Sequence, residues 1–276
     1  MAMIDPTARI EPGATIGQNV SIGPYCILGA HATIGDGCRL LAHVHVAGHT
    51  AIGARSVIYP FASLGSPPQS VKYRGGPTRL MVGTDSDIRE SVTMSTGTED
   101  GGGVTSVGDR CFLMAGAHVG HDCRVGSDVT FANNAVLGGH VSVGDRAFLG
   151  GQAAVHQFVR VGEGAMIGGL SGITRDVIPF GFAFGPKAEL VGLNMVGLKR
   201  RGHRRADLHR LRQCYRALFL GPGEFRERLA AVAADYAADP LAGKIIDFLR
   251  TGGPRPPMMP SRAQGGDHAE ATAMHE

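Results

Sequence analysis

The chain has no tryptophan, and only 6% of its 276 residues are aromatic. A compact core of this size ordinarily uses more large rings, so the 43% of the chain that is hydrophobic has to be buried in an arrangement filled by small aliphatic side chains. No stretch reaches the ~18 apolar residues that a membrane-crossing helix needs, so no membrane span is expected. The opening MAMIDPTARI lacks a basic segment followed by an apolar one, so no secretory signal is expected. The five cysteines include no C-x-x-C pair, which leaves neither a disulfide framework nor a zinc-ligand spacing to read. A net charge of +3 is too small to argue for a nucleic-acid binder on composition. The 42 glycines follow no collagen-like triplet. The expected compartment is the cytosol.

What the sequence has is a period of six. Aliphatic residues stand at Ile4, Ile10, Ile16, Ile22, Leu28, Ile34, Leu40, Val46, Ile52, Ile58 and Leu64, then at Val82, Ile88 and Met94. The column runs again from Val107 through Leu113, Val119, Val125, Phe131, Leu137, Val143, Leu149, Val155, Val161 and Ile167 to Ile173. A helix would repeat at 3.6 residues and an ordinary strand at two. Six fits short strands joined by sharp corners, three of which make an 18-residue triangular coil. The expected fold class is therefore mainly β: a parallel β-helix of hexapeptide repeats over residues 1–186, followed by a C-terminal α-helical domain over 187–251. Within the second part Leu208, Leu211, Tyr215 and Leu218 recur at helical spacing, Gly221-Pro222-Gly223 stops that segment, and further helices are expected near 224–238 and 241–250. Residues 252–276 read as a disordered tail.

Four of the cysteines, Cys26, Cys38, Cys111 and Cys123, fall four residues after a column aliphatic, where Val20, Ala32, Val44 and Ala62 stand elsewhere. They read as small buried hydrophobes. Two segments interrupt the column, residues 65–79 with three prolines and the glycine-rich 97–106. Loops leaving a rigid scaffold are common ligand contacts, although the second lacks the Gly-Lys-Ser/Thr ending of a phosphate loop.

An 18-residue coil predicts neighbours, because residues 18 apart lie one strand spacing apart, about 4.8 Å. His121, Gly139 and Gln157 form one such series, and Asp122, His140 and Phe158 another. His121, Gly139, His140 and Gln157 should cluster on one face, with His118 upstream and His156 beside them. An imidazole there can take a proton from an attacking alcohol, Asp122 can orient that ring, and a glycine N–H can meet a developing oxyanion. Taken singly, each histidine reads first as a surface or turn residue satisfied by backbone, and it is the stacked set at coil spacing that reverses this. A zinc site of the hexapeptide carbonic-anhydrase kind would want one histidine plus a pair spaced by five, whereas His118 and His121 are three apart and His43, His45 and His49 two and four.

The runs HVGHDC (118–123), FANNAVLGGHVSVGD (131–145), GGQAAVHQF (150–158) and GLKRRG (197–202) resemble those of UDP-N-acetylglucosamine O-acyltransferases. SIGPYCILG (21–29), KYRGGPTR (72–79) and IRESVT (88–93) are similar too. The likeness covers about residues 3–215. It implies a left-handed coil sense and transfer of an (R)-3-hydroxyacyl group from acyl carrier protein to the glucosamine 3-hydroxyl of UDP-N-acetylglucosamine, the first step of lipid A synthesis. It also implies a homotrimer with sites between neighbouring β-helices, and neither metal nor cofactor. Carried over by motif, His121 is the general base, Asp122 its partner and Gly139 the oxyanion donor. His118, His140, His156 and Gln157 line the site, while Lys72, Asn194, Arg200 and Arg201 hold the nucleotide sugar or the acyl donor. Gly169 stands where acyl length is gauged, and its lack of a side chain implies a longer chain, around fourteen carbons.

Ser70, Ser95, Thr96 and Val196 depart from the family pattern in the sugar and uridine contacts, which keeps a 3-amino sugar acceptor open. The basic residues Lys199 to Arg205 read either as a landing site for acidic partners or as a solvated helix face; without interleaved aromatics they do not read as an RNA site. An N-acyltransferase of the same pathway would need a uridine-binding domain ahead of the repeats, which here begin at Ile4. Acetyl-coenzyme A-dependent relatives lack the HVGHDC and GLKRRG combination. A non-catalytic hexapeptide scaffold would explain the repeats but not His121 stacked over Gly139.

Overall fold

A computed structural model describes residues 2–236 and 238–261. Among the described residues, three sheets of eleven, nine and eight strands, parallel except for the last pair of the first, form the three sides of a triangular prism. The first side begins with Met3–Ile4, the second with Arg9–Ile10 and the third with Thr15–Ile16, and most strands are only two residues long. Each pairs with the strand one coil away: Met3 with Ser21, Arg9 with Ile27, Thr15 with Thr33. The column aliphatics point inward because they take the same position in every strand. Leu28, Leu64, Ile88, Leu113, Phe131 and Leu149 are all 0% exposed. Ile4, in the first coil, is 46% exposed, because no coil lies beneath it. Cys26, Cys38, Cys111 and Cys123 are at most 1% exposed, as are Val20, Ala32, Val44 and Ala62.

The corners carry the chemistry. Many turn through a residue with positive φ, among them Asp122 (59°), His140 (62°) and Phe158 (66°), a conformation that costs a non-glycine residue roughly 1–2 kcal/mol. At the third corner, between third and first sides, such residues build a ladder of charges, Arg55 to Asp85 and Arg110 to Asp128. These pairs are largely exposed, so each contributes little stability. Both interruptions of the column are excursions from the second corner, between second and third sides. Ile52 pairs with Val82 and Val82 with Val107, so the coil resumes in register after each loop.

Beyond Ile173 the first side ends in an antiparallel hairpin, Gly181–Phe184 with Glu189–Leu193, which straddles residue 186. Among the described residues four helices follow: α1 (Met195–Arg200), α2 (Arg205–Phe219), α3 (Phe225–Tyr236) and α4 (Ala242–Thr251). Leu208, Leu211, Tyr215 and Leu218 form the buried stripe of α2, as their spacing predicts. The expected disorder from 252 onward does not hold as far as 261. There Asp176 bridges to Pro257, Met258 is 1% exposed, and the Leu190 N–H donates to the Met259 carbonyl (3.3 Å). Backbone hydrogen bonds and one buried methionine order a segment whose proline-rich composition reads as coil; residues 262–276 of the expected tail lie outside the described residues. No helix among the described residues is long and apolar enough to cross a membrane.

Candidate active site

The 18-residue arithmetic holds at the second corner. The His140 N–H donates to the His121 carbonyl (2.9 Å) and the Phe158 N–H to the Gly139 carbonyl (3.1 Å). His121 therefore lies directly over Gly139: a Cβ on that glycine would stand 2.6 Å from His121 Nε2. His140 meets His121 edge-on with ring centres 5.0 Å apart, and stacks flat on Phe158 at 4.4 Å.

Asp122 is the electrostatic centre of this cluster. Its side chain is 1% exposed, with Oδ2 at 2.8 Å from His121 Nδ1 and 3.7 Å from His140 Nε2. A carboxylate that accepts at Nδ1 leaves the lone pair of that imidazole on Nε2, the nitrogen beside Gly139. His118, whose Nδ1 lies 2.7 Å from Thr93 Oγ1, has its pKa pushed down by burial and secondarily by the charge of His121. Burial likewise lowers His140, against an opposing pull from Asp122. Both rings are thereby kept neutral and able to donate one hydrogen bond and accept another. The donor atoms of His121, Asp122 and His140 lie within 4.8 Å of one another, the spacing of a metal site, but Asp122 already accepts from Thr98 N (2.9 Å) and Thr98 Oγ1 (2.6 Å). Three of the roughly four acceptor positions of this carboxylate are therefore filled, two by Thr98 and one by His121 Nδ1.

Thr98 was not legible as a site residue, because it sits in the glycine-rich loop 97–106, where coil arithmetic fails. That loop folds down over the carboxylate so tightly that a Cβ on Gly101 would lie 2.2 Å from Asp122 Cγ. Thr105 Oγ1 accepts from the Asp122 N–H (2.8 Å). Glu99 ties the loop to its neighbour by accepting from the Gly76 N–H (2.7 Å), which sets the segment carrying the exposed Lys72 above the same corner. Ser95 and Thr96 are buried, and Thr78 Oγ1 donates to Thr96 Oγ1 (2.9 Å), so these departures from the family pattern serve packing of the loops.

His118, His121, Asp122, Gly139, His140, His156 and Gln157 thus gather at the second corner, and Lys72 is exposed on the 65–79 loop that leaves it. The other expected residues do not join them within one chain. Asn194 caps α1, accepting from the Gly197 N–H (2.9 Å), and donates to the Gly164 carbonyl (3.0 Å) at the third corner. Arg201 lies beside Gly164 there, while Arg200 is exposed at the end of α1. Gly169 is at the first corner, next to the exposed Leu170. A Cβ on Gly169 would come 3.3 Å from the Gly151 carbonyl oxygen, so a larger side chain there has to point outward along the corner. Arg201 is electrostatically unfinished: its Nε and Nη2 are buried with no protein partner. Burial, then the nearby Arg146 charge, holds this guanidinium below its ordinary pKa. Arg201 alone keeps two unmet donors, of the kind that a bound anion satisfies through charge-assisted hydrogen bonds, because Arg146 is already paired with Glu163.

Residues 31–66 and 105–139 match the bacterial transferase hexapeptide family, and residues 176–257 match the second domain of UDP-N-acetylglucosamine O-acyltransferase. The chain is 57% identical to the acyl-carrier-protein–UDP-N-acetylglucosamine O-acyltransferase of Azorhizobium caulinodans over 95% of its own length and 97% of that protein. Its counterpart in Rhizobium johnstonii is 48% identical, covering 96% and 97%. Among solved structures, the Acinetobacter baumannii enzyme superposes with a TM-score of 0.90 at 36% identity, covering 93% of this chain and 99% of that one. The Arabidopsis UDP-N-acetylglucosamine acyltransferase gives 0.83 at 31%, covering 93% and 100%. With the hexapeptide coil, the His121–Asp122–Gly139 cluster and relatives matched along nearly their whole length, this left-handed parallel β-helix chain belongs to the UDP-N-acetylglucosamine O-acyltransferase family.

Proposed function

We propose that the chain transfers an (R)-3-hydroxyacyl group from acyl carrier protein to the glucosamine 3-hydroxyl of UDP-N-acetylglucosamine, opening lipid A synthesis in the cytosol, with His121 as general base. The observation that carries this reading is the His121 ring, bonded to Asp122 at Nδ1 and seated over Gly139. Nε2 takes the hydroxyl proton as the sugar oxygen bonds to the thioester carbon. The carbonyl oxygen becomes an oxyanion facing the Gly139 N–H, whereas the neighbouring Gly138 and His140 N–H groups are committed to Val155 and His121 carbonyls. Collapse breaks the carbon–sulfur bond, and the imidazolium returns its proton to the departing thiolate. Asp122 stabilises the transient imidazolium throughout.

The diphosphate is the anion that Arg201 lacks. Asn194 and Arg201 stand one prism side away from His121, roughly 15–20 Å along an extended chain. This supports a homotrimer in which one chain's third corner faces its neighbour's second corner. Lys199, His203, Arg205, His209 and Arg212 line a cleft between α1 and α2, a cationic surface suited to acidic acyl carrier protein.

The reaction is tested by incubating 3-hydroxyacyl carrier protein with UDP-N-acetylglucosamine and with its 3-amino analogue, beside His121→Ala. Transfer to the hydroxyl, falling about a hundredfold or more in the variant, is expected. Transfer to the amine alone changes the acceptor, and silence with both from a folded protein leaves the scaffold reading. Co-expressing His121→Ala with Arg201→Ala chains tests the shared site: activity recovers in mixed trimers only if one site draws on two chains.

A further inference from the structure

The C-terminal segment reaches back to the second corner. The Asp176 N–H donates to the Pro256 carbonyl (3.0 Å) and the Met258 N–H to the Asp176 carbonyl (2.7 Å), which stitches residues 256–258 alongside the β-helix. Asp176 itself, 0% exposed, holds Arg160 Nε at 2.7 Å. Arg160 in turn lies over the Phe248 ring of α4, 4.1 Å from its centre. Gly253 passes so close that a Cβ there would meet Arg160 Nε at 2.6 Å. This clamp delivers one side chain to the site. Arg255 Nη2 lies 2.9 Å from His156 Nδ1, and Arg255 Nε donates to the Gln157 carbonyl (3.2 Å).

A guanidinium has donors and no acceptor, so His156 Nδ1 has to accept from it and the ring proton stands on Nε2. The competing arrangement is present in the same contact set. Nδ1 is also 3.3 Å from the Gln157 carbonyl oxygen, to which it would donate if it carried the proton. Arg255 occupies both ends of that alternative, giving a donor to the nitrogen and another to the carbonyl. Without it, the remaining local partner for Nδ1 is the carbonyl, and the proton belongs on Nδ1.

We propose that Arg255 is a positioning residue that locks His156 in the Nε2–H tautomer, the opposite of the tautomer that Asp122 imposes on His121. One side chain of the site then offers a base to the incoming hydroxyl. The other offers a hydrogen-bond donor to a substrate oxygen, of the carbonyl or phosphate class. The proposal rests on the site reading above for its catalytic consequence, but the tautomer does not depend on turnover.

The test uses full-length protein with 15N-labelled histidine, with His156→Gln used to assign the His156 signals. Long-range 1H–15N correlation should show His156 protonated at Nε2 in the wild type and at Nδ1 in Arg255→Met. The strap is held by backbone bonds and Met258, so the variant should melt like the wild type. In the transfer assay Arg255→Met should lose about tenfold in kcat/KM, the worth of one charge-assisted hydrogen bond, and Arg255→Lys should recover part of it. On a His156→Gln background the same substitution should cost nothing further. An unchanged tautomer in Arg255→Met overturns the proposal, as does a full additional loss on the His156→Gln background. A wild type that shows the expected tautomers yet transfers no acyl group overturns the reaction assigned to the site and leaves the tautomer assignment standing.

Discussion

His121 and Gly139 are in contact across one coil step, with a Cβ on the glycine placed 2.5 Å from His121 Cε1. Real Cβ contacts are not that short, so the imidazole can hold its place only over a glycine. The backbone there needs no special φ; space alone selects the residue. Gly139→Ala should therefore tilt the ring off Asp122 and cut kcat by about a hundredfold or more, while the melting temperature moves by little. Near-normal turnover in the alanine variant would show that the ring's seat is not catalytic.

Thr98 acts one step further out. It gives Asp122 both an N–H and a hydroxyl, the latter at 2.6 Å. Thr98→Val keeps the shape and removes the hydroxyl donor from a buried carboxylate, at a cost of about 1–3 kcal/mol. The expected outcome is a lower melting temperature and a roughly tenfold drop in kcat, with KM for both substrates near the wild-type value.

Arg201 predicts the reverse pattern. Its unmet Nε and Nη2 and its proximity to Arg146 make it a burden to the free protein and an asset once an anion binds. Arg201→Ala should leave the ligand-free melting temperature unchanged or raised. The stabilisation that UDP-N-acetylglucosamine confers on the wild type by binding the folded state should be lost. Calorimetric scans with and without the nucleotide sugar separate the two effects.

The half-buried histidines set an acid limit. His118 and His140 both have folded-state pKa values below that of an ordinary imidazole, chiefly because burial disfavours the imidazolium. As pH falls through the ordinary imidazole range the unfolded chain takes up these protons first. Stability is therefore fully present above about 6.5 and declines toward the lower folded-state values. Denaturant titrations at several pH values should show this loss, and His118→Gln should flatten it. An identical slope in that variant would place the acid sensitivity elsewhere.

The thiols should be inert while the chain is folded. Burial pushes Cys111 up to about 11 and Cys123 and Cys214 up to about 12, so at pH 8 almost no thiolate exists. A disulfide reagent should titrate none of the five cysteines in the native protein and all of them in denaturant.

The amino-acid order by itself determined the coil. A residue's inward position depends only on its place in a six-residue repeat, so buried columns, corner positions and the His121–Gly139–Gln157 stack can be counted off along the chain. The helical stripe of Leu208, Leu211, Tyr215 and Leu218 is legible for the same local reason. Counting fails where the repeat is broken or where contacts join distant segments. Thr98 reaches Asp122 because a loop of irregular phase folds down on it. Arg255 reaches His156 because Asp176 and Met258 hold a proline-rich strap against the prism. Asn194 and Arg201 prove to stand on a different corner from His121, although short sequence motifs give no hint of the distance between them. Those placements come from hydrogen bonds and burial between segments far apart in the chain, where no local period carries information and only the tertiary structure could decide.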